Sequence, residues 1–211
     1  MLEVLYKDKQ IAVVVKPVGL ISEDGAAGES ICPLLRETLG VAEVYAVHRL
    51  DRAVGGVMVY ALTKKAAAEL SKAVAENALT KVYLAVVHGA PAEPCGVYED
   101  LLYKDVRKNK SFVVTRERKG VKKASLAYET LCSTEERSLV RVTLHTGRSH
   151  QIRVQFASRK TPLVGDGKYG AVDHVREIGL FSHALTFPHP ASGETMHFSA
   201  LPKGDVWEIF E

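Results

Sequence analysis

Cysteine is scarce in this chain. There are three in 211 residues, Cys32, Cys95 and Cys132, with no C-x-x-C pair among them. An odd, dispersed set argues against a disulfide framework and for a reducing compartment, so a cytoplasmic protein is expected. Long apolar runs are missing too: Ile11–Val15 and Val57–Leu62 are strand-length, far short of the roughly 20 residues a membrane helix needs. The N-terminus shows no basic stretch followed by an apolar core, hence no evident secretory signal. The eight histidines form neither H-x-x-x-H nor H-E-x-x-H, and no cysteine pair joins them, so the common zinc spacings are absent. Net charge is also small, 28 Lys plus Arg against 25 Asp plus Glu. As a total it argues for no polyanionic partner.

What is present fits a globular chain. Hydrophobic residues make up 46% and charged residues 25%, which excludes wholesale disorder. The charge is unevenly spread. Lys104–Lys123 holds nine basic residues and two acids, a net +7 against −4 for the rest. Phe112-Val113-Val114 lies between its basic clusters, so the window is predicted to be a basic hairpin or loop. Two readings stand beside each other: a solvated strand pair, or an arm that neutralises phosphates.

Period and punctuation give an α+β chain rich in strands, without regular βαβ alternation. Strands are predicted at Ile11–Val15, Val57–Leu62, Lys81–Val87, Ser125–Leu131, Ser138–Leu144, Leu180–Phe187 and Thr195–Ala200. A first helix follows Ser30 as cap, with Ile31, Leu34, Leu35 and Leu39 on its buried face and Gly40 past its end. A second follows Thr63, burying Ala66, Ala67, Leu70, Ala73 and Val74. In Lys81–Val87, alternation places Val82, Leu84 and Val86 on one face and Tyr83 on the other. Gly147 is expected to make a sharp turn into a short helix carrying Ile152 and Phe156. No repeat or composition break divides the chain, which is read as one domain over 1–211.

Three loops carry chemistry. His48-Arg49-Leu50-Asp51-Arg52 sets one carboxylate between two arginines ahead of Gly55-Gly56. Flanking guanidiniums favour an ionised carboxylate, as a nucleophile or general base requires; the plain alternative is a structural turn with an ion pair. In His145–Arg153, Thr146 or Ser149 can cap a helix start beside Arg148 and Arg153, an anion site or ordinary capping. Gly165-Asp166-Gly167-Lys168-Tyr169-Gly170 spells G-x-G-x-x-G, but the strand, helix and acidic residue of a dinucleotide site are missing around it. It is read as a glycine-rich turn.

Taken together, these segments closely resemble the RluA-type RNA pseudouridine synthases. The resemblance rests on His48-Arg49-Leu50-Asp51 with Gly56, on Lys81-Val82-Tyr83-Leu84-Ala85, and on Thr146-Gly147-Arg148-Ser149-His150-Gln151-Ile152-Arg153-Val154. Val15–Leu20, Pro162–Gly170 and His189–Phe198 extend it in the family's order over most of the chain.

The resemblance implies an α+β pseudouridine synthase fold, a mixed and largely antiparallel sheet bisected by a cleft and flanked by helices. It implies isomerisation of uridine in tRNA, rRNA or both, with no metal or organic cofactor. Asp51 would be the catalytic carboxylate, acting at C1′, at C6 or by a glycal route. Tyr83 would stack on the uracil and take the C5 proton, and Arg153 would pair with Asp51. Arg49 would fill the space left by the flipped nucleotide. Arg148, His150, Lys108, Lys110, Lys122 and Lys123 are the remaining expected RNA contacts. The family usually carries Thr-Ser-Gly where this chain has Val54-Gly55-Gly56, which removes two hydroxyls expected to buttress the Asp51 loop. A monomer is expected, with no room for an N-terminal S4-type RNA-binding module. The competing expectation is a catalytically weak RNA-binding protein that kept the fold.

Overall fold

The computed structural model describes residues 2–25 and 28–208. Its contacts group the chain into two compact units, Met1–Lys81 with Phe181–Pro202, and Val82–Leu180 with Lys203–Glu211.

The first unit is built on β1 (Glu3–Lys7), β2 (Ile11–Lys16), β3 (Tyr45–Ala46), β4 (Gly55–Ala61), β10 (Leu180–Pro188) and β11 (Thr195–Ser199), with helices α1 (Cys32–Leu39) and α2 (Lys64–Ala75). Strands run in the order β1-β2-β4-β10, with β11 on β10 and β3 on β4. All these pairs are antiparallel except β4–β10, so the sheet is mixed. Every residue of β4 is buried, as expected of a central strand covered on both faces. Ile11, Val13, Val57, Val59, Leu185 and Phe187 pack with Ala66 and Leu70 of α2. Helix α2 follows Thr63 as predicted, and Thr63 caps it, its Oγ1 accepting from the Ala66 N–H at 3.1 Å. A Leu70→Ala cavity there would cost about 2–5 kcal/mol.

Helix α1 differs from its predicted form. It begins at Cys32 with Ile31 as the flanking residue, and Ser30 helps from outside by accepting from the Cys32 N–H. Leu34 is exposed rather than buried, because an eight-residue helix offers only a narrow stripe to the core. Gly40 closes it as expected, in the left-handed region at φ 63°; Gly40 and Val41 donate to Glu37 and Arg36 carbonyls.

The second unit holds most of β5 (Thr80–His88), with β6 (Cys95–Asp105), β7 (Lys110–Val114), β8 (Val121–Ser133) and β9 (Arg137–Leu144), in the order β5-β9-β8-β6-β7. Helix α3 (Gln151–Ser158), a 3-10 turn at Gly167–Tyr169 and α4 (Asp205–Glu208) complete it. The basic window is the predicted hairpin: β6 pairs antiparallel with β7, and β8 lies on its other side. Tyr98, Tyr128 and Phe156 pack with ring centroids 4.4–5.9 Å apart, and burial raises the Tyr98 phenol's pKa. All three cysteines are free thiols. Among the described residues no helix is long and apolar enough to cross a membrane.

Candidate active site

Asp51 sits in the tight loop between β3 and β4. Its carbonyl accepts from Val54 N–H at 2.9 Å, closing a turn. The next residue ties this loop to the segment after β2: Gly19 N–H donates to the Arg52 carbonyl, and Arg52 Nε donates to the Gly19 carbonyl, both at 2.8 Å. Leu50 is buried beneath.

The arginines flanking Asp51 are engaged elsewhere. Arg49 Nη1 pairs with Glu23 at 3.2 Å with its side chain 63% exposed, and Arg52 is the backbone clamp just described. Lys16 is a buried cation within electrostatic reach of Asp51, and sequence reasoning did not single it out. Lys16 is fully buried, and its Nζ donates to the carbonyls of Pro17 at 2.9 Å and Leu20 at 2.7 Å. Burial pushes its pKa down to about 8, against the opposing pull of Asp51. The only signal in the sequence was a lysine closing an apolar strand just before Pro17.

His48 is a core residue. Its Nε2 accepts from the Val59 N–H at 3.2 Å, and Nδ1 has no hydrogen-bond partner among the described residues. Burial, with Lys81 nearby, lowers its pKa to about 3. The ring is therefore neutral at working pH and contributes no titration near 7.

The two glycines after the loop permit a close approach. What approaches is backbone. Gly56 has φ 123°, and a Cβ there would lie 2.3 Å from the Ser182 carbonyl oxygen, its register partner on β10. A Cβ on Gly55 would lie 3.1 Å from the Lys16 carbonyl oxygen.

In the second unit Tyr83 lies on β5, where residues 83–87 are all buried. Alternation had assigned Tyr83 to the face opposite a buried one. Alternation separates inside from outside only where one face meets water, and both faces are covered here.

Arg153 lies in α3, which is buried on all sides from Gln151 to Phe156. The turn into α3 is not made by Gly147: His150 takes the left-handed conformation at φ 53°, and no side chain caps the helix. Thr146 Oγ1 and the Arg148 N–H instead both donate to Gln151 Oε1. Arg153 is thus no part of an exposed anion site at the helix start. Its Nε and Nη2 donate to Asp166 Oδ2 and Oδ1, both at 2.7 Å, with side chains 7% and 0% exposed. Asp166 was hidden within the glycine-rich turn, whose conformation now has a cause. Gly165, at φ 73°, would carry a Cβ 2.0 Å from the Glu177 carbonyl oxygen.

Tyr169 follows in the same turn, with the Arg153 guanidinium 5.1 Å from its ring centroid. Its hydroxyl accepts from Ser111 N–H at 2.8 Å and bonds His150 Nδ1 at 2.9 Å. Burial raises its pKa, so the phenol keeps its proton.

The expected RNA contacts are placed as follows. Lys122 and Lys108 are exposed. Lys123 is 83% exposed, 3.9 Å from Glu117, a separation and exposure that make the pair weak. Arg148 is exposed, with Nε donating to the Lys123 carbonyl. Lys110 instead braces the turn, its ammonium 5.0 Å from the Tyr169 ring centroid. Among the described residues no group of three His, Cys, Asp or Glu could hold a metal ion.

A buried bidentate pair is costly to break on one side only. Asp166→Ala should therefore destabilise the protein by about 3–5 kcal/mol in urea unfolding, because it strands the Arg153 cation. An unfolding midpoint equal to wild type would remove the pair from the account.

Comparison with known proteins identifies the family and the fold. Residues 10–158 match the family model for RNA pseudouridylate synthases. The chain is 37% identical to the dual-specificity RNA pseudouridine synthase RluA of Yersinia pestis, over 92% of this chain and 96% of that one. It is 31% identical to the ribosomal large subunit pseudouridine synthase D of Zymomonas mobilis, over 100% of this chain and 72% of that one. In fold it matches human RNA pseudouridylate synthase domain containing 4, with TM-score 0.79 and 24% identity over 95% of this chain and 89% of that one. The α+β, sheet-dominated fold, the family-model match and the relatives together make this chain a member of the RluA-type RNA pseudouridine synthases, an isomerase of RNA uridine.

Proposed function

We propose that Asp51 is the catalytic carboxylate, and that the substrate is a uridine in tRNA, rRNA or both, met by a monomer in the cytoplasm. The observation that carries this reading is the Asp51 loop, a carboxylate on a backbone tied down on both sides beside a buried cation. A carboxylate on a fixed backbone needs little reorganisation at the moment of reaction. The reaction breaks the N1–C1′ bond, joins C5 to C1′, releases the C5 proton and leaves a proton on N1.

Tyr83 is assigned to the uracil, for stacking and for removal of the C5 proton. A ring already excluded from water suits contact with a base. Arg153 is assigned as the partner of Asp51 on the strength of the family resemblance, and Asp166 fixes its orientation through two of its nitrogens. Arg49 is assigned to the gap left by the flipped nucleotide. Its exposed pairing with Glu23 is worth at most about 1 kcal/mol and is readily given up. Support for an rRNA target comes from a relative named for the large ribosomal subunit, and support for more than one RNA from a relative named as dual-specificity.

Loss of the C5 hydrogen gives the direct assay. With RNA tritiated at uridine C5, the wild-type protein should release tritium to water. Asp51→Ala should lower the rate by about 10³-fold or more while RNA affinity stays within about threefold. Wild-type release by Asp51→Ala would refute the assignment. Binding without release from any RNA by the wild type would favour an RNA-binding protein that kept the fold.

We assign the basic hairpin to phosphate contact. Replacing Lys108, Lys122 and Lys123 by Gln, and sparing the bracing Lys110, should reduce the slope of log affinity against log salt by about 2–3. An unchanged slope would place the RNA elsewhere.

A further inference from the structure

The Asp51 loop lacks the two hydroxyls that the family resemblance leads one to expect at Val54 and Gly55. Val54 is buried. A side chain at Gly55 would press on the Lys16 carbonyl at 3.1 Å and on Val18 Cγ2 at 3.3 Å. A hydroxyl residue at 55 would thus require its neighbours to give way. The loop is nevertheless held, from the other side of the sequence. Ser22 Oγ accepts from the Leu50 N–H and donates to the Leu50 carbonyl, both at 3.0 Å, and Ser22 is only 3% exposed.

Ser22 is itself anchored. Its carbonyl accepts from the hydroxyl of Tyr60, a fully buried residue of β4, at 3.0 Å. Its neighbour Ile21 is bracketed by backbone bonds, donating to Glu29 and accepting from Ile31. A line of buried contacts therefore runs from the β4 core through one serine hydroxyl to the peptide next to Asp51.

We propose that Ser22 is a positioning residue for catalysis: its hydroxyl, bonded to both backbone groups of Leu50, fixes the Asp51 carboxylate and replaces the buttress missing at Val54 and Gly55. This rests on the reading of Asp51 as the catalytic carboxylate. Ser22 touches no substrate and acts only through the backbone. Its loss should therefore lower the rate of the chemical step while leaving RNA binding intact, because small displacements of a reacting group are expensive in rate.

The test uses single-turnover tritium release at saturating protein, with RNA affinity and the melting curve of each variant measured alongside. Ser22→Ala removes both bonds, and Ser22→Cys keeps the volume with a much weaker donor and acceptor. Asp51→Ala serves as the reference. Both serine variants, in whichever is folded at the assay temperature, should slow the single-turnover rate by about 10- to 100-fold with affinity changed less than about threefold. The pH profile should keep its shape and lose height. A folded variant with the wild-type single-turnover rate overturns the proposal, as does a loss that lies wholly in affinity. If Asp51→Ala itself releases tritium normally, the reading of Asp51 fails first. If Asp51→Ala is inactive and the folded serine variants are normal, only the role of Ser22 fails.

Discussion

The close passage of the Ser182 backbone over Gly56 is the constraint on which the first unit depends. Parallel pairing of β4 with β10 brings residues far apart in sequence side by side, and a Cβ at Gly56 would meet the Ser182 oxygen at 2.3 Å. Ser182 Oγ then donates to the Val57 carbonyl at 3.0 Å, sealing the same contact. β2 pairs with β4 from Gly56 to Ala61, and β10 joins β4 at Gly55 and Gly56, its start, where the Asp51 loop ends. The loop inherits its rigidity from this strand. Lys16 is the last residue of β2, Tyr60 lies on β4, and both reach towards the loop or its support.

The second unit is organised around a charge instead. Arg153 and Asp166 are both out of water, which is tolerable only because two short, parallel hydrogen bonds join them. The glycine-rich turn exists to deliver Asp166 to that place. Tyr169 and His150 then lock the entry to α3, so that a helix with no capping side chain still has a fixed start.

Much of this was legible in the sequence. Period and punctuation placed the central strands, the amphipathic helix after Thr63 and the basic hairpin, because each rests on local chemistry. The motifs identified the family. What the sequence did not disclose is tertiary. Arg49 and Arg52 look like partners of Asp51 because they are its neighbours in the chain, yet side chains of adjacent loop residues diverge. Lys16, from the end of β2, is a buried cation within reach of Asp51, and Ser22 supplies backbone support at Leu50. Alternation set Tyr83 apart from Val82, Leu84 and Val86, but it carries no information on exposure along a strand covered on both sides. Asp166 was overlooked because its partner lies thirteen residues away across a turn.

The central claim is that this chain makes pseudouridine in RNA with Asp51. Pseudouridine maps of total RNA from cells lacking the protein, complemented with either wild type or Asp51→Ala, test it most directly. A small set of sites should vanish on deletion, return with the wild-type protein and stay absent with Asp51→Ala. A map unchanged by deletion, or sites restored equally by Asp51→Ala, would contradict the account.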